Sequence, residues 1–350
     1  LIKNLQGSKV STGLILHKEN NIIKNEKIKL TTKMNSELTE CLSSLGKDIE
    51  SKEPPPITNN RKKCTICSWR RDCDSIAIKE GKLSEVSGIG AKREHLLMEL
   101  GIKNIEDLSR VKHYILKQKL DFSSPKNDDI SKNIILQAQS QITNKPIKIK
   151  TKSTLSNLKE AKGFLIYDIE SDPDVKHDFL HGFIRIKNSI YNDIDLKEIK
   201  YSPLLNLEKN TESFLWKRIK RKLNQHKDLP ILHYGETEPI SLIKLGESQG
   251  ASPQEITEFK KRFIDIHLLT RESWFLPVRN YGLKSISEWI GFEWRQPNVD
   301  GARALLWWRQ WRKSRKLNKI YSRNLNSIFK YNKDDCLATF MIAKWLANQK

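Results

Sequence analysis

From residue 163 onward the apolar positions gather into short dense runs, and their spacing predicts the elements of the second half of the chain. "GFLIYDIE" (163–170) and "FLHGFIRIK" (179–187) are apolar, β-branched and aromatic, which predicts two neighbouring strands, with "IKYSPLL" (199–205) a weaker third. In "TESFLWKRIKRKLNQH" the period becomes helical: Phe214, Leu215, Ile219 and Leu223 fall on one face, with basic residues opposite. "LPILHYG" is again a strand. Helices are expected in "TEPISLIKL" with Thr237 as cap, and after the capping box of Ser252 and Glu255 with Pro253 at the first helical position. "YGLKSISEWIG" is a further helix closed by Gly291. Two more, about 301–313 and 331–348, finish the chain. A strand hairpin followed by alternating strands and helices predicts an α/β or α+β domain, and no internal repeat is visible.

The first half has a different texture. "TGLIL" is strand-like and "SELTECLSSLG" helical, but "SKEPPPITNNRKK" carries three prolines that no helix continues through. A cysteine-bearing stretch and several short helices follow to about residue 145, and "NKPIKIKTKSTLSN" forms a second polar, basic linker. These breaks predict segments at 1–62, 63–80, 81–150 and 160–350.

Composition adds two constraints. With 350 residues and 37% apolar content, the chain can bury a core in each of roughly two domains. No apolar run approaches the ~18 residues of a membrane span and the start lacks a signal-peptide plan, so a soluble, cytoplasmic protein without a membrane partner is expected. The first residue is Leu1, not Met, which is what a fragment lacking its N-terminus would show. Lys and Arg outnumber Asp and Glu by 63 to 42, a net charge of +21. Such an excess favours a polyanion, nucleic acid first, because each neutralised phosphate releases counterions; a merely solvated basic surface is the plainer alternative. Five cysteines, three of them bunched, point to a metal or cluster rather than a disulfide framework.

The candidate chemistry sits in "FLIYDIESDPD", where an apolar run turns into four carboxylates at alternate positions: Asp168, Glu170, Asp172 and Asp174. A strand ending in D-x-E sends Asp168 and Glu170 to the same side, and two carboxylates on one face suit a hard cation such as Mg²⁺ or Mn²⁺. Paired ions are the common solution for phosphodiester hydrolysis. "HYGETEP" supplies Glu236 and Glu238 after another strand, and "YNKDDC" supplies Asp334 and Asp335. Tyr331 and Asp335 lie four apart, so on a helix they share a face. His233 reads as a packed strand histidine. Asp172, Asp174 and Asp334 read as solvated neighbours.

Together, "YDIESDPD", "HYGETEP" and "YNKDD" resemble, in order, the three motifs of the DEDD exonucleases of the RNase H-like superfamily. With "DFLHGF" and "YGLKSISEWIGFEW" between them, they look more closely like the YprB-type RNase H-like domain, over about 160–350. The resemblance implies a mixed sheet flanked by helices and a 3′–5′ exonuclease in DNA processing or repair. It also implies that Asp168, Glu170, Glu238 and Asp335 hold two Mg²⁺ or Mn²⁺ ions while Tyr331 orients the attacking water. Glu238 is aligned in preference to Glu236 and stands where most DEDD enzymes have Asp. A non-catalytic DNA-binding module with the same fold is the alternative.

"CTICSWRRDC" spaces Cys64, Cys67 and Cys73 to wrap one small centre, iron–sulfur or Zn²⁺, each of which takes four ligands. The triplet resembles that of RecB-like iron–sulfur nucleases, whose fourth cysteine precedes the nuclease core, and "LIKNLQGSKVSTGLIL" resembles the segment that follows that core. The resemblance implies an incomplete [4Fe–4S] or Zn²⁺ site here, with Cys41 and Cys336 remote from it. "LSEVSGIGAKREHLLMELGIKNIEDL" places Gly88 and Gly90 in a tight turn before a helix, with Lys92 and Arg93 alongside. It resembles a helix-hairpin-helix, a motif that holds DNA backbone through amides and basic side chains, DNA being favoured over RNA.

Overall fold

The computed structural model describes residues 7, 11–19, 22–53, 57–58, 67, 69–120, 129–149, 156–187, 189–191, 193–207, 211–313 and 320–349. The chain divides into two compact units, Leu1–Thr58 and Asn59–Lys350. In the first, β1 (Thr12–Glu19) and β2 (Ile22–Lys29) form an antiparallel hairpin pairing Thr12 with Lys29. Thr31 caps α1 (Thr32–Glu50), its hydroxyl accepting from the Met34 amide at 3.2 Å. Leu38, Leu42, Leu45 and Ile49 lie along this helix and are exposed.

The second unit opens with α2 (Arg70–Lys79), a single 3₁₀ turn at Leu83–Glu85, α3 (Ala91–Glu99), α4 (Ile105–Arg110), α5 (His113–Leu120) and α6 (Ile130–Thr143). Leu83, Val86, Ile89, Leu97, Leu108, Leu116 and Ile134 close a small core among them. After β3 (Ile147–Lys148) and α7 (Ser156–Glu160) come β4 (Phe164–Asp172), β5 (His177–Ile186), β6 (Tyr201–Leu205), α8 (Glu212–Gln225), β7 (Ile231–His233), α9 (Thr237–Ser248), α10 (Pro253–Arg262) and β8 (Phe263–Asp265). The chain then runs through α11 (Ile266–Ser273), β9 (Trp274–Phe275), α12 (Leu283–Trp289), α13 (Gly301–Lys313) and α14 (Ile320–Asn348).

Five strands make one mixed sheet in the order β6-β5-β4-β7-β8. β4 is antiparallel to β5 and parallel to β7, as the sequence-predicted hairpin and the crossover through α8 require. Because β4 is central, both its faces are covered, which explains its unbroken apolar start. Phe164 and Ile166 enter one core with Leu337 and Phe340 of α14 and Ile266 of α11, while Leu165 and Tyr167 enter the other with Leu215, Ile219 and Leu223 of α8. Each such side chain, fully buried, contributes about 1.5–3 kcal/mol. The fold is the expected α/β class, a mixed sheet flanked by helices.

The helical segment is fastened to the sheet domain by polar contacts from α6. The Gln137 amide donates to the Leu276 carbonyl at 2.7 Å and the Ser140 hydroxyl to the Phe275 carbonyl at 2.9 Å. β3 pairs antiparallel with β9, and Arg279 bridges Asp74 and Glu85.

Three local expectations are corrected. Phe214 is 73% exposed, and Trp216 is buried on the inward face of α8 in its place. Thr237 is the first residue of α9 rather than its cap; Glu236 stands at the cap without a side-chain bond. The last helix begins at Ile320, more than two turns before Tyr331. The capping box on α10 and the left-handed Gly291 (φ +87°) after α12 are as read from the sequence.

Candidate metal centre

Strand alternation continues the row Phe164, Ile166 into Asp168 and Glu170, on the face covered by α14. The register of β4 against β5 shifts only after Glu170, so both carboxylates keep that side. Asp168 is half-buried and Glu170 buried. From α14 comes the buried Asp335, hydrogen-bonded by Tyr331 one turn earlier. One oxygen from each of Asp168, Glu170 and Asp335 lies within 4.8 Å of the other two.

Glu238, in the first turn of α9, is buried, and its charge acts on both Asp168 and Glu170. Its Oε2 is enclosed without a hydrogen-bond partner. Glu236, two residues earlier, is exposed. His233 is buried, edge-on to Phe263, with Nδ1 2.6 Å from the Gly235 carbonyl.

The electrostatics follow from crowding. Burial, then Asp335, Glu170 and Glu238, holds the Asp168 carboxyl well above the usual range. Burial raises Glu170 to about 8, with Asn332 opposing and Glu238 adding. Asp335 is raised by burial, Glu170 and Asp334, against Lys284 and Tyr331. Burial lifts Glu238 to about 7, with a backbone amide opposing and Asp265 adding. Hard oxygen donors that repel one another, one of them without a partner, suit Mg²⁺ or Mn²⁺.

These shifts set a pH dependence. Unfolded, Glu170 and Glu238 ionise near 4.5; folded, they keep the proton to about 8 and about 7. Their stabilisation of the metal-free fold is therefore complete below about pH 4.5 and is lost as pH rises through 7 to 8. The metal-free melting temperature should fall between pH 5 and 8, and Mg²⁺ or Mn²⁺ should restore it most at pH 8. Differential scanning fluorimetry reads this; a metal-free melting temperature that rises over the window contradicts it.

Asn332, overlooked in the motif, belongs to the site. Fully buried, it donates through Nδ2 to Asp168 at 2.6 Å and to Glu170 at 3.4 Å, while its Oδ1 accepts from the Tyr201 hydroxyl at 2.7 Å. It thus supplies partial positive charge between two carboxylates. Its space exists because Gly182, the β5 partner of Asp168, has no side chain: a Cβ there would lie 1.7 Å from the Asn332 Oδ1. The only sequence signal was a glycine in the middle of a strand.

Asp172 and Asp334 are not solvated. Asp334 is buried and held by Arg295, Nε to Oδ1 at 2.7 Å. Asp172 is buried and bound by Arg309, which also reaches Asp174. Each arginine neutralises an acid beside the cluster, so the uncompensated charge is concentrated on the inner carboxylates.

A family model for the RNase H superfamily matches residues 165–347, more than half of the chain. The chain belongs to the RNase H superfamily. Neither the curated proteins nor the solved structures compared with it gave a match. RNase H superfamily proteins are typically nucleases, and the acidic triad Asp168, Glu170 and Asp335 is compatible with metal-dependent cleavage of nucleic acid.

Outside the RNase H-like domain, Gly88 adopts φ +92°, the left-handed region that favours glycine, and Gly90 is the extended cap of α3. Lys92 is exposed, whereas the Arg93 guanidinium donates to the Gly88 carbonyl and braces the turn. Cys64 lies outside the described residues. Cys67 is exposed and Cys73 half-buried; Cys41 is exposed on α1 and Cys336 is buried in the sheet domain. Among the described residues no helix is long and apolar enough to cross a membrane.

Proposed function

We propose that the chain is a two-metal 3′–5′ exonuclease acting on DNA. The observation that carries this reading is the convergence of Asp168, Glu170 and Asp335 from a strand and a helix. Glu238 is not one of the three that converge, but its buried charge acts on Asp168 and Glu170 and one of its oxygens has no hydrogen-bond partner. Buried carboxylates that repel one another destabilise a fold, and a cation site accounts for their presence. Asp168, Glu170, Glu238 and Asp335 would hold Mg²⁺ or Mn²⁺, which when bound stabilises charge on the phosphoryl oxygens and activates water. Tyr331, whose hydroxyl burial and the neighbouring acids keep protonated, would orient the attacking water. Asn332 fixes the spacing of Asp168 and Glu170.

The turn of Gly88 and Gly90, with Lys92, would hold duplex backbone without sequence preference, Arg93 bracing it. Gly90 gives a clean test, because a Cβ there meets no atom within 4 Å. Gly90→Val should leave the melting temperature unchanged yet weaken duplex DNA binding about tenfold, by blocking close approach to phosphate. Unchanged affinity in a salt titration removes the hairpin from the account. Cys64, Cys67 and Cys73 remain a proposed soft-metal site, iron–sulfur or Zn²⁺, completed by a ligand from elsewhere.

Hydrolysis of DNA and RNA strands labelled at either end, with and without Mn²⁺, tests the whole reading. A metal-dependent ladder of 5′-labelled products shortening from the 3′ end supports it. No turnover of any strand favours the non-catalytic binding module.

A further inference from the structure

The RNase H-like domain and the helical segment enclose a cleft of about 810 Å³ whose lining includes none of Asp168, Glu170, Glu238 and Asp335. Ser87, next to the hairpin turn, forms part of one wall, and Tyr234, Glu236, Asp265, His267 and Arg271 are among the residues lining the others. The volume falls within the range of pockets that hold one small ligand, well below what a duplex needs.

Two aromatic rings form one wall. The Tyr234 and His267 rings stand 5.2 Å apart, tilted by 47°, so a base stacks on one face and meets the other ring at an angle; the Tyr234 hydroxyl donates to the Tyr281 carbonyl at 2.6 Å. Tyr281 is itself tied down, its hydroxyl donating to Gln137 at 2.9 Å and accepting from the Leu276 amide at 2.9 Å. Asp265 accepts from the amides of Gly235 and Leu268 through one oxygen, Oδ1, both at 3.1 Å. Burial, with Arg271 adding and Asp265 and Glu236 opposing, lowers the His267 pKa, so a neutral imidazole faces the cleft. Exposed Arg271 makes no ion pair among the described residues.

Aromatic faces and one guanidinium set among two carboxylates, Glu236 and Asp265, suit a flat, uncharged ring joined to a single phosphate better than a run of phosphates. The position agrees: Tyr234 and Glu238 lie four residues apart in one strand-to-helix turn, so a ligand on Tyr234 sits beside the carboxylates without entering them.

We infer that this cleft is a nucleotide subsite, holding one unpaired nucleobase against Tyr234 and His267 with its phosphate at Arg271. The inference rests on the proposed nuclease reading for the identity of the strand.

The test is an abasic scan. Labelled single-stranded oligonucleotides, each with one abasic position moved stepwise from the 3′ end, are bound to the full chain in EDTA and followed by fluorescence anisotropy. Stacking of one base predicts a loss of affinity of about fivefold or more at one fixed position. In His267→Ala that dip should disappear while the other positions keep their affinity, and Arg271→Ala should weaken binding at every position. A flat scan of the wild type, a dip that survives in His267→Ala, or no binding of single strands overturns the subsite. Adenosine monophosphate reads the other source of the same chemistry: saturable micromolar binding with a flat scan would assign the cleft to a free nucleotide and overturn the strand assignment. Because the scan needs no turnover, a dip without hydrolysis retains the subsite and sinks the nuclease, whereas hydrolysis with a flat scan does the reverse.

Discussion

Asp168→Asn is expected to lower metal-dependent hydrolysis by about 10²–10³-fold or more, the range for losing one preorganised electrostatic group from an active site. The fold should not suffer. Asp168 is held well above the usual carboxylate range by burial and by Asp335, Glu170 and Glu238, so the folded protein favours a neutral side chain there. An asparagine of nearly the same shape keeps an oxygen to accept from Asn332 and removes the repulsion. The metal-free melting temperature at pH 8 should therefore stay level or rise, while the increase produced by Mn²⁺ shrinks. Retained activity, or a fall of many degrees in the metal-free protein, would contradict the assignment.

Gly182→Ala is expected to damage both stability and activity, although glycine-to-alanine is ordinarily mild in a strand. The added methyl would lie 1.7 Å from Asn332 Oδ1 and 2.9 Å from the Tyr201 hydroxyl. Asn332 cannot yield without breaking its bonds to Asp168, Glu170 and Tyr201. Overpacking and lost buried hydrogen bonds together suggest a cost of about 3 kcal/mol in a denaturant titration. Displacement of the carboxylates should reduce turnover about 10²-fold in the fraction that remains folded. Wild-type stability in Gly182→Ala would mean that Asn332 does not fill that space.

The sheet was legible because its central strand announces itself: an apolar run buried on both faces, then carboxylates at period two. The triad was legible for a related reason. Asp168 and Glu170 are coupled by strand alternation, and Asp335 sits in a helix whose spacing to Tyr331 is visible in "YNKDD". The roles of Asn332 and Gly182 were not visible, because they depend on register: Asn332 and Asp168 are 164 residues apart, and only β4–β5 pairing places Gly182 against them. The arginines were missed for the same reason, Arg295 meeting Asp334 across 39 residues and Arg309 meeting Asp172 across 137. Acids that looked solvated in a linear reading became buried ion pairs. Phe214 shows the converse: at 3.6 residues per turn Trp216 falls on the side of Leu215, Ile219 and Leu223 while Phe214 faces away, so the helical period itself puts Trp216 and not Phe214 in the core.

Nuclease activity in this domain requires the carboxylates to be a cation centre. Anomalous diffraction from crystals soaked in Mn²⁺ tests that claim most directly. Anomalous peaks are expected among the oxygens of Asp168, Glu170 and Asp335, with Glu238 ligating as well, and none in Asp168→Asn. A well-ordered soaked crystal with no anomalous density at these four side chains would contradict it.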